Sequence, residues 1–293
     1  MRPALEQGKV ALVSDTELLR AAGILDDKGD YWIRQSQLTE FVRCPERFRL
    51  HVLHPENAIE GDEAFMGTAD HAAAEMLLDG DIRLEDLADA VTAIVYDMLQ
   101  ADEPRWNAFK NGAEMAEQAR RCIVAWGRDI YPKVPLVGVT EVDFAFQAGI
   151  HQGRRYGFRG CVDYPTHYGI YDWKFPAKVY KRWEKQKYDL QASIYTAAGV
   201  AGALPFEYDW PASFTFGITT RQDEPKGELV SVTRTYNHYE WVKHHAKVLI
   251  DMIVTMGMER PWPLRQEDWL CSAKWCGNYH ECRGLFITPA DDQ

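Results

Sequence analysis

The sequence predicts a mixed fold, α/β or α+β, in which a central sheet is flanked by helices. Helical periodicity dominates the residues before 136, where apolar side chains recur every three or four positions. From Val137 the pattern changes to the alternation of strands, and one later helix lies between strands as a crossover. A cysteine-rich segment follows near the end of the chain. These observations predict one integrated domain with helices first, a sheet second and a cysteine cluster last.

Composition limits the possible functions. The 293 residues are 46% hydrophobic and 26% charged, which is ordinary for a globular protein. No apolar run approaches the roughly 18 residues that span a bilayer, and the N-terminus lacks the apolar segment of a signal peptide. We therefore expect a cytoplasmic protein without a membrane partner. Six cysteines in such a chain favour a metal or redox role. A net charge of −11 means that any nucleic acid must be bound by a local basic patch.

The residues before 136 divide into an arm and a helical region. Residues 1–35 contain a turn signal at residues 26–30 and are expected to form a loosely packed arm. A helix capped by Ser36 ends at Cys44, because the residue before proline is disfavoured in a helix. The helical region, residues 36–135, carries Cys44 and His71. Its further helices are predicted at residues 46–53, 65–78, 84–100 and 112–131.

Residues 136–260 are predicted to form the sheet and its remaining helices. The first strand begins at Val137, and residues 157–174 form two strands joined by a turn. The later elements are a helix at 188–200, strands at 214–220 and 229–235, and a long helix at 238–258. Residues 261–293 carry the cysteine cluster, which we expect to pack on the N-terminal helix.

The predicted hairpin carries the strongest chemical signal. Side chains of a strand alternate between faces, so Asp172 and Lys174 share one face and Trp173 lies on the other. A turn centred on residues 167–168 also places Asp163 opposite Asp172. Two adjacent carboxylates repel each other unless a cation lies between them. Carboxylates, a backbone carbonyl and water are the ligands that Mg²⁺ or Mn²⁺ prefers, so the hairpin predicts a metal site with a lysine beside it.

Simpler interpretations of the same residues exist. Asp172 could form a surface ion pair with Lys174 or Arg159, which would contribute little to stability. His71 could be an ordinary core histidine in an alanine-rich helix. The spacing of these residues alone does not exclude either interpretation.

Four short motifs in a fixed order resemble those of the PD-(D/E)XK nuclease superfamily. The resemblance is strongest to its RecB-like iron–sulfur exonuclease branch, which includes CRISPR-associated exonucleases and phage relatives. The motifs are Gly67-x3-His71, Gly160-Cys161-Val162-Asp163, Asp172-Trp173-Lys174 and Gln191-x3-Tyr195. The Cys44-Pro45 helix and the C-terminal cysteines resemble the iron–sulfur members. The resemblance spans residues 36–284 and implies a restriction-endonuclease-like central mixed sheet flanked by helices.

The resemblance also implies a role for each matching residue. Asp163 and Asp172 would hold a divalent metal, Mg²⁺ or Mn²⁺, together with the backbone carbonyl of Trp173. His71 would add a ligand or orient a water bound to the metal. Lys174 would position or activate that water and offset charge in the transition state. Phosphodiester hydrolysis suits such a site, because the metal polarises the phosphate and lowers the pKa of water.

Three further residues lie near this predicted site. Gln191 and Tyr195 are four apart, hence on one helix face, and the resemblance gives them a role in holding the lysine region and the DNA backbone. They could equally pack that helix on the sheet. Glu141 could reach the metal from the neighbouring strand, but it shares a face with Asp143 and the sequence does not decide, so Glu141 is left out of the core site.

The cysteines form a second candidate site. Cys271, Cys276 and Cys282 cluster near the C-terminus, and Cys44 is the candidate fourth thiolate. Four thiolates suit either a 4Fe–4S cluster or structural zinc, and His280 offers an alternative fourth ligand for zinc. The family resemblance favours iron–sulfur, although its members often have a shorter gap between the first two C-terminal cysteines. Cys122 and Cys161 are expected to be ordinary buried thiols, with Cys161 on the face of Asp163.

A basic linker, residues 178–187, is predicted after Lys174 and is a candidate DNA-binding surface. Its charges are interleaved with aromatic side chains on which bases could stack. The residues concerned are Lys178, Tyr180, Lys181, Arg182, Trp183 and Lys185. A solvated charged face is the simpler interpretation of the run.

Together these expectations describe a metal-dependent DNA nuclease, an exonuclease of single-stranded DNA ends with a structural 4Fe–4S cluster. Such an enzyme would act in recombination, repair, phage DNA processing or CRISPR-type adaptation, with a helicase or recombination protein as a possible partner. The alternatives are a non-catalytic DNA-binding subunit of the same fold and a zinc-stapled structural protein.

Overall fold

A computed structural model describes residues 14–58, 61–264, 271–273 and 275–284. The α-helices are α1 Asp15–Ala21, α2 Gln35–Arg43, α3 Pro45–Leu53, α4 Asp62–Asp79, α5 Leu87–Ala101, α6 Gly112–Asp129, α7 Arg182–Tyr188, α8 Leu190–Val200, α9 Tyr236–Met256 and α10 Tyr279–Gly284. The strands are β1 Tyr31–Arg34, β2 Val142–His151, β3 Arg154–Val162, β4 Tyr164–Thr166, β5 Gly169–Lys174, β6 Ala212–Thr219 and β7 Gly227–Arg234. Within the described residues, none of the helices has both the length and the apolar character needed to cross a bilayer.

The strands form two mixed sheets. The first has the order β1-β3-β2, with β1 parallel and β2 antiparallel to β3. The second has the order β4-β5-β6-β7, in which only the β5–β6 pair is parallel. The two sheets follow each other at Asp163, which separates β3 from β4. The predicted mixed sheet flanked by helices is therefore confirmed, with its strands divided between two hydrogen-bonded sheets.

The β4–β5 hairpin has the predicted register. Tyr164 pairs with Tyr171 and Thr166 pairs with Gly169, so the turn is centred on residues 167–168. Gly169 has a φ of +148° in this turn, a conformation that side-chain-bearing residues rarely adopt. A Cβ atom there would also lie 3.1 Å from the carbonyl oxygen of Ser213. Glycine at 169 thus allows β5 to lie close against β6.

Two hydrophobic cores meet at β5. The first packs α2, α8 and α9 against strands of both sheets and includes Ile170. The second lies among α4, α5 and α6 and includes Trp173, whose ring centroid is 5.2 Å from that of Trp126. Because side chains alternate along a strand, residues 170, 172 and 174 face the first core and Trp173 faces the second. This alternation places Asp172 and Lys174 on the side of α8, as the sequence predicts.

The expectation of a loosely packed arm is wrong for the residues of it that the structure describes. Leu19 of α1 is 3% exposed, and Ile24 and Ile33 are completely or almost completely buried. Strand β1 pairs in parallel with β3, more than 100 residues later, which the local pattern of four residues could not reveal. The sequence predicts Ser36 as the N-cap of the next helix. In the structure α2 begins at Gln35, and Arg34 is its N-cap.

Two predictions between 137 and 187 are also corrected. The strand expected from Val137 begins only at Val142, because Glu141 has a left-handed φ of +45° that interrupts extended backbone. The basic segment after Lys174 is not a simple linker, since its second half forms α7.

A buried ion pair connects α3 to the segment after α9. Glu46 and Arg49 are 0% and 5% exposed, and Glu46 Oε1 lies 2.6 Å from Arg49 Nη2. Glu46 Oε2 also accepts the backbone N–H of Trp262, while Arg49 Nη1 donates to the carbonyl of Met258. Each buried charge is therefore compensated by the other and by backbone groups more than 200 residues away in sequence.

Replacing Glu46 by Gln should destabilise the protein strongly. The substitution keeps the shape of the side chain but leaves the Arg49 guanidinium buried without its counter-charge, which costs about 3 kcal/mol. Chemical denaturation measures the change in the free energy of unfolding. The matched control is Glu117→Gln, which removes an exposed pair of the same spacing with Arg120 and should have a much smaller effect. Equal losses in the two variants would contradict this account.

Candidate active site

Asp163 lies at the break between β3 and β4 and connects three elements. Its Oδ2 atom accepts the backbone N–H of Trp173 on β5 at 2.7 Å. The same oxygen lies 3.2 Å from Nδ1 of His71 on α4. Asp163 and His71 are 13% and 27% exposed, so both side chains are accessible from one side only. The structure therefore brings Asp163 and His71 together, as the motif order implies.

Asp172 is completely buried beside them. Its Oδ2 lies 2.5 Å from the ammonium of Lys174, and its Oδ1 accepts the side-chain N–H of Gln191 at 2.6 Å. Gln191 in turn hydrogen-bonds the side chain of Tyr195 one helical turn further along α8. The four residues form a continuous polar contact between β5 and α8.

Burial and charge act in opposite directions on these groups. Burial disfavours the His71 imidazolium, but the charge of Asp163 outweighs this effect and raises the pKa of His71. Burial similarly disfavours the Lys174 ammonium, but Asp172 and Asp163 together raise the pKa of Lys174. Burial raises the pKa of Asp172 despite the charge of Lys174. Asp163, by contrast, is buried beside His71 and Lys174, whose charges lower its pKa. The two carboxylates are therefore inequivalent, and Lys174 is held as an ammonium ion.

Glu141 completes a group that could hold a metal ion. In the part of the chain that the structure describes, ligand atoms of His71, Glu141 and Asp163 all lie within 4.8 Å of one another. The sequence alone left Glu141 out of the core site, because Asp143 was expected on the same strand face and nothing in the sequence chose between the two acids. The side chain is directed by the left-handed backbone at 141, a feature that has no signature in the sequence.

Contacts around Glu141 link it to both neighbouring strands. Its backbone N–H donates to the carbonyl of Asp163, and its Oε2 lies 3.2 Å from the thiol of Cys161. Burial and the carboxylates of Glu141 and Asp143 raise the pKa of Cys161 well above the usual thiol range. Cys161 is thus a neutral thiol beside the acids, and because it is only partly buried and hydrogen-bonded to Glu141, the expectation of an ordinary buried thiol is wrong.

A cavity of about 680 Å³ opens over this group. One face of α4 forms its wall, since Glu63, Gly67, His71 and Glu75 follow at intervals of four residues. No atom lies within 4 Å of a Cβ built on Gly67, so glycine leaves this wall open. Burial raises the pKa of Glu75, and nearby carboxylates raise it further, with Glu141 having the largest effect among them. This concentration of negative charge favours a bound cation.

The predicted DNA-binding residues lie along the segment that leaves this cavity. Lys178, Lys181, Arg182 and Trp183 are exposed. Tyr180 lines the cavity, and the Lys185 ammonium lies 4.1 Å from the centre of its ring. Tyr188, which the sequence interpretation did not include, is 60% exposed and forms an edge contact with Trp183.

The four predicted cluster cysteines approach one another at the end of α2. Burial raises the pKa of Cys282 to about 12, and the charges of Glu46, Cys44, Cys276 and Cys271 add to the shift. Contacts between distant segments hold them there: Asn57 Nδ2 donates to Asn278 Oδ1 at 2.8 Å, and Arg105 donates to the carbonyl of Ala273. Cys122 is buried in the second core, apart from this group.

The fold that carries this site has a counterpart among solved structures. Over its whole length the fold is similar to the crystal structure of a "putative exonuclease" from Eubacterium rectale, with a TM-score of 0.56 and 15% sequence identity. The similarity covers 97% of this chain and 95% of that one. No curated protein matches the sequence.

The family model of the PD-(D/E)XK nuclease superfamily matches residues 34–283. The chain therefore belongs to the PD-(D/E)XK nuclease superfamily. Nucleases of this superfamily use divalent metals, and the family implies DNA as the substrate. The acidic group at His71, Glu141 and Asp163 is a possible site for such a metal.

The left-handed backbone at Glu141 predicts that glycine is more stable than alanine at this position. Glu141→Gly should be more stable than Glu141→Ala by about 1 kcal/mol, because a left-handed conformation costs non-glycine residues energy that glycine avoids. Both variants lose the carboxylate, so the difference in the free energy of unfolding isolates the backbone.

Position 143 provides the control for this comparison. Asp143 lies in the extended strand β2, where glycine should instead be less stable than alanine. The same sign at 141 and 143 would show that the left-handed backbone at 141 is not strained.

Proposed function

We propose that this protein is a divalent-metal-dependent DNA nuclease that degrades single-stranded DNA from its ends. The observation that supports this most directly is that Asp163, His71 and Lys174 line one cavity, with Asp172 buried directly beside Lys174. These residues come from α4, β5 and the β3–β4 junction. They lie close together only in the folded chain, so the order of the motifs alone would not bring them into contact.

The donor set fits a hard divalent cation. Two carboxylates, Asp163 and Glu141, and the imidazole of His71 present their ligand atoms within 4.8 Å of one another. Asp172 and the backbone carbonyl of Trp173 would complete the set. Oxygen donors with one imidazole suit Mg²⁺ or Mn²⁺ better than soft metals. When bound, the metal supplies Lewis-acid polarisation of the phosphate and a more acidic water.

The remaining residues hold and neutralise the reacting groups. Lys174 stays protonated because Asp172 and Asp163 raise its pKa, so it acts as a cation that orients the attacking water and offsets developing charge. Gln191 fixes the Asp172 carboxylate through its 2.6 Å hydrogen bond. Tyr195 extends this support along α8.

The exposed part of α7 supports a preference for single strands. Trp183 and Tyr188 present adjacent aromatic rings, and Lys178, Lys181 and Arg182 surround them with positive charge. Unpaired bases can stack on such rings, whereas the bases of a duplex are already stacked. The action on ends is supported by the fold similarity to a protein named as an exonuclease.

We further propose that Cys44, Cys271, Cys276 and Cys282 hold a 4Fe–4S cluster. Four thiols fit either this cluster or zinc. The choice of the iron–sulfur cluster rests on the resemblance of the Cys44-Pro45 helix and the C-terminal cysteines to the iron–sulfur members of the RecB-like branch.

Substituting the central acid or the lysine should abolish cleavage. We expect Asp172→Asn and Lys174→Met each to reduce Mn²⁺- or Mg²⁺-dependent degradation of end-labelled single-stranded DNA by at least about a thousandfold. Each removes a charge that acts on the reacting phosphate or its metal. The controls Asp86→Asn and Lys133→Met change residues of the same types that lie outside the proposed site and the proposed DNA-binding surface. Full activity in the Asp172 or Lys174 variant would disprove the assignment.

Removing one cluster ligand should release the bound metal. We expect Cys276→Ser to lose iron and inorganic sulfide and to lower the melting temperature, because the cluster joins segments distant in sequence. Cys122→Ser is the control, since this cysteine lies in the second core and should leave the iron content unchanged. Metal and sulfide analysis of the purified proteins is the measurement. Stoichiometric zinc without iron in the unmodified protein would contradict the cluster assignment.

A further inference from the structure

Two arginines lie side by side on adjacent strands of the first sheet. Arg34 at the end of β1 is the direct register partner of Arg159 on β3. Paired residues of neighbouring strands share a face, so both side chains lie on the same side of the sheet. Like charges in this position repel each other, and burial together with the charge of Arg34 lowers the pKa of Arg159. The arrangement is unfavourable unless an anion neutralises it.

The protein itself supplies no such anion among the described residues. Arg159 donates to the carbonyl oxygen of Gly23, a neutral group, and its Nε is buried without an acceptor. Arg34 is exposed, and no ion pair with a described carboxylate involves either arginine. Asp143 lines the same cavity, but its carboxylate interacts with the thiol of Cys161. The two guanidinium groups are therefore available to an external ligand.

These arginines line a cavity that adjoins the candidate active site. The cavity has a volume of about 720 Å³ and is also lined by Cys161 and Tyr195. Cys161 contacts Glu141, which lines the neighbouring cavity over Asp163. Arg159 and Cys161 share one face of β3, and Asp163 follows the end of this strand, about 13 Å along the backbone from Arg159. The first turn of α2, which has no side-chain cap, also borders the space.

We propose that Arg34 and Arg159 bind a backbone phosphate of the nucleic-acid strand whose scissile bond lies at Asp163 and Asp172. Two convergent guanidinium groups match the planar, bidentate geometry that phosphate oxygens accept. This inference deepens the proposed nuclease function and rests on it. It assigns a substrate contact in a cavity that no residue of α7 lines, so that the strand has a second contact besides the one proposed on α7.

Equilibrium binding without divalent metal tests the proposal. The probe is a fluorescein-labelled single-stranded oligonucleotide, bound to the full chain in EDTA and followed by anisotropy over a range of salt concentrations. We expect Arg34→Gln to weaken binding by about 10-fold, as loss of a charge-assisted contact does. The slope of log K against log salt should fall by about 0.7, the value for one phosphate on a single strand. Arg159→Lys should weaken binding although it keeps the charge, because lysine lacks the bidentate fork.

The matched control is the double variant Arg83→Gln, Arg120→Gln, which changes two exposed arginines that already pair with carboxylates on the helical region. It removes one more charge than Arg34→Gln and should change neither quantity to a comparable extent. If the control weakens binding as much as Arg34→Gln, the effect comes from net charge and the proposal is wrong. Unchanged affinity in Arg34→Gln and Arg159→Lys would also overturn it.

Oligonucleotides with a 5′ phosphate, a 3′ phosphate or no terminal phosphate distinguish the source of the bound group. An equal effect of Arg34→Gln on all three assigns an internal phosphodiester, and an effect on one assigns that terminal phosphate; either supports the proposal. Mn²⁺-dependent degradation by the unmodified protein is measured separately. Binding that depends on Arg34 without any degradation would refute the nuclease function while retaining the phosphate site.

Discussion

A fully buried carboxylate at Asp172 constrains the position of every element around it. Burying an ionised carboxylate costs several kcal/mol unless charge and hydrogen bonds compensate it. Lys174 and Gln191 provide this compensation, and they reach Asp172 only if β5 keeps its register and α8 lies across the same face. The alternation of β5 then places Trp173 in the opposite core. The geometry of the candidate site and the division into two cores thus have the same origin.

Lys174 neutralises the charge of Asp172, whereas the cavity beside them is lined by more carboxylates than cationic groups. His71 and Lys174 lower the pKa of Asp163, whereas burial and neighbouring acids raise the pKa of Glu75. A cation near Asp163 would satisfy both Asp163 and Glu141, which lies within ligand distance of it. The excess of carboxylates over ammonium and imidazole groups in this cavity explains how an acidic protein can bind a divalent metal. It also explains why the basic groups proposed to contact DNA lie outside the cavity, on α7 and on the first sheet.

Contacts between distant segments hold these surfaces in place. Glu46 and Arg49 connect α3 to the segment after α9, and Asn57 contacts Asn278 in the cysteine-rich segment. Closing loops of this length costs chain entropy, so the buried charge pair contributes where short-range structure cannot, and the proposed cluster would add to it. Strand β1 is positioned in the same way, because its pairing with β3 joins the start of the chain to the sheet that leads to Asp163.

The sequence by itself determined the parts of the protein that depend on local chemistry. The turn of the β4–β5 hairpin, the shared face of Asp172 and Lys174 and the end of α2 at Cys44 follow from neighbouring residues, and the structure has all three. Glu141 lies near His71 and Asp163 where its backbone is left-handed. Arg34 lies beside Arg159 because two distant segments pair as parallel strands. Only the tertiary structure decided these, because backbone strain and long-range pairing arise from the packing of the whole chain, which no short pattern of residues encodes.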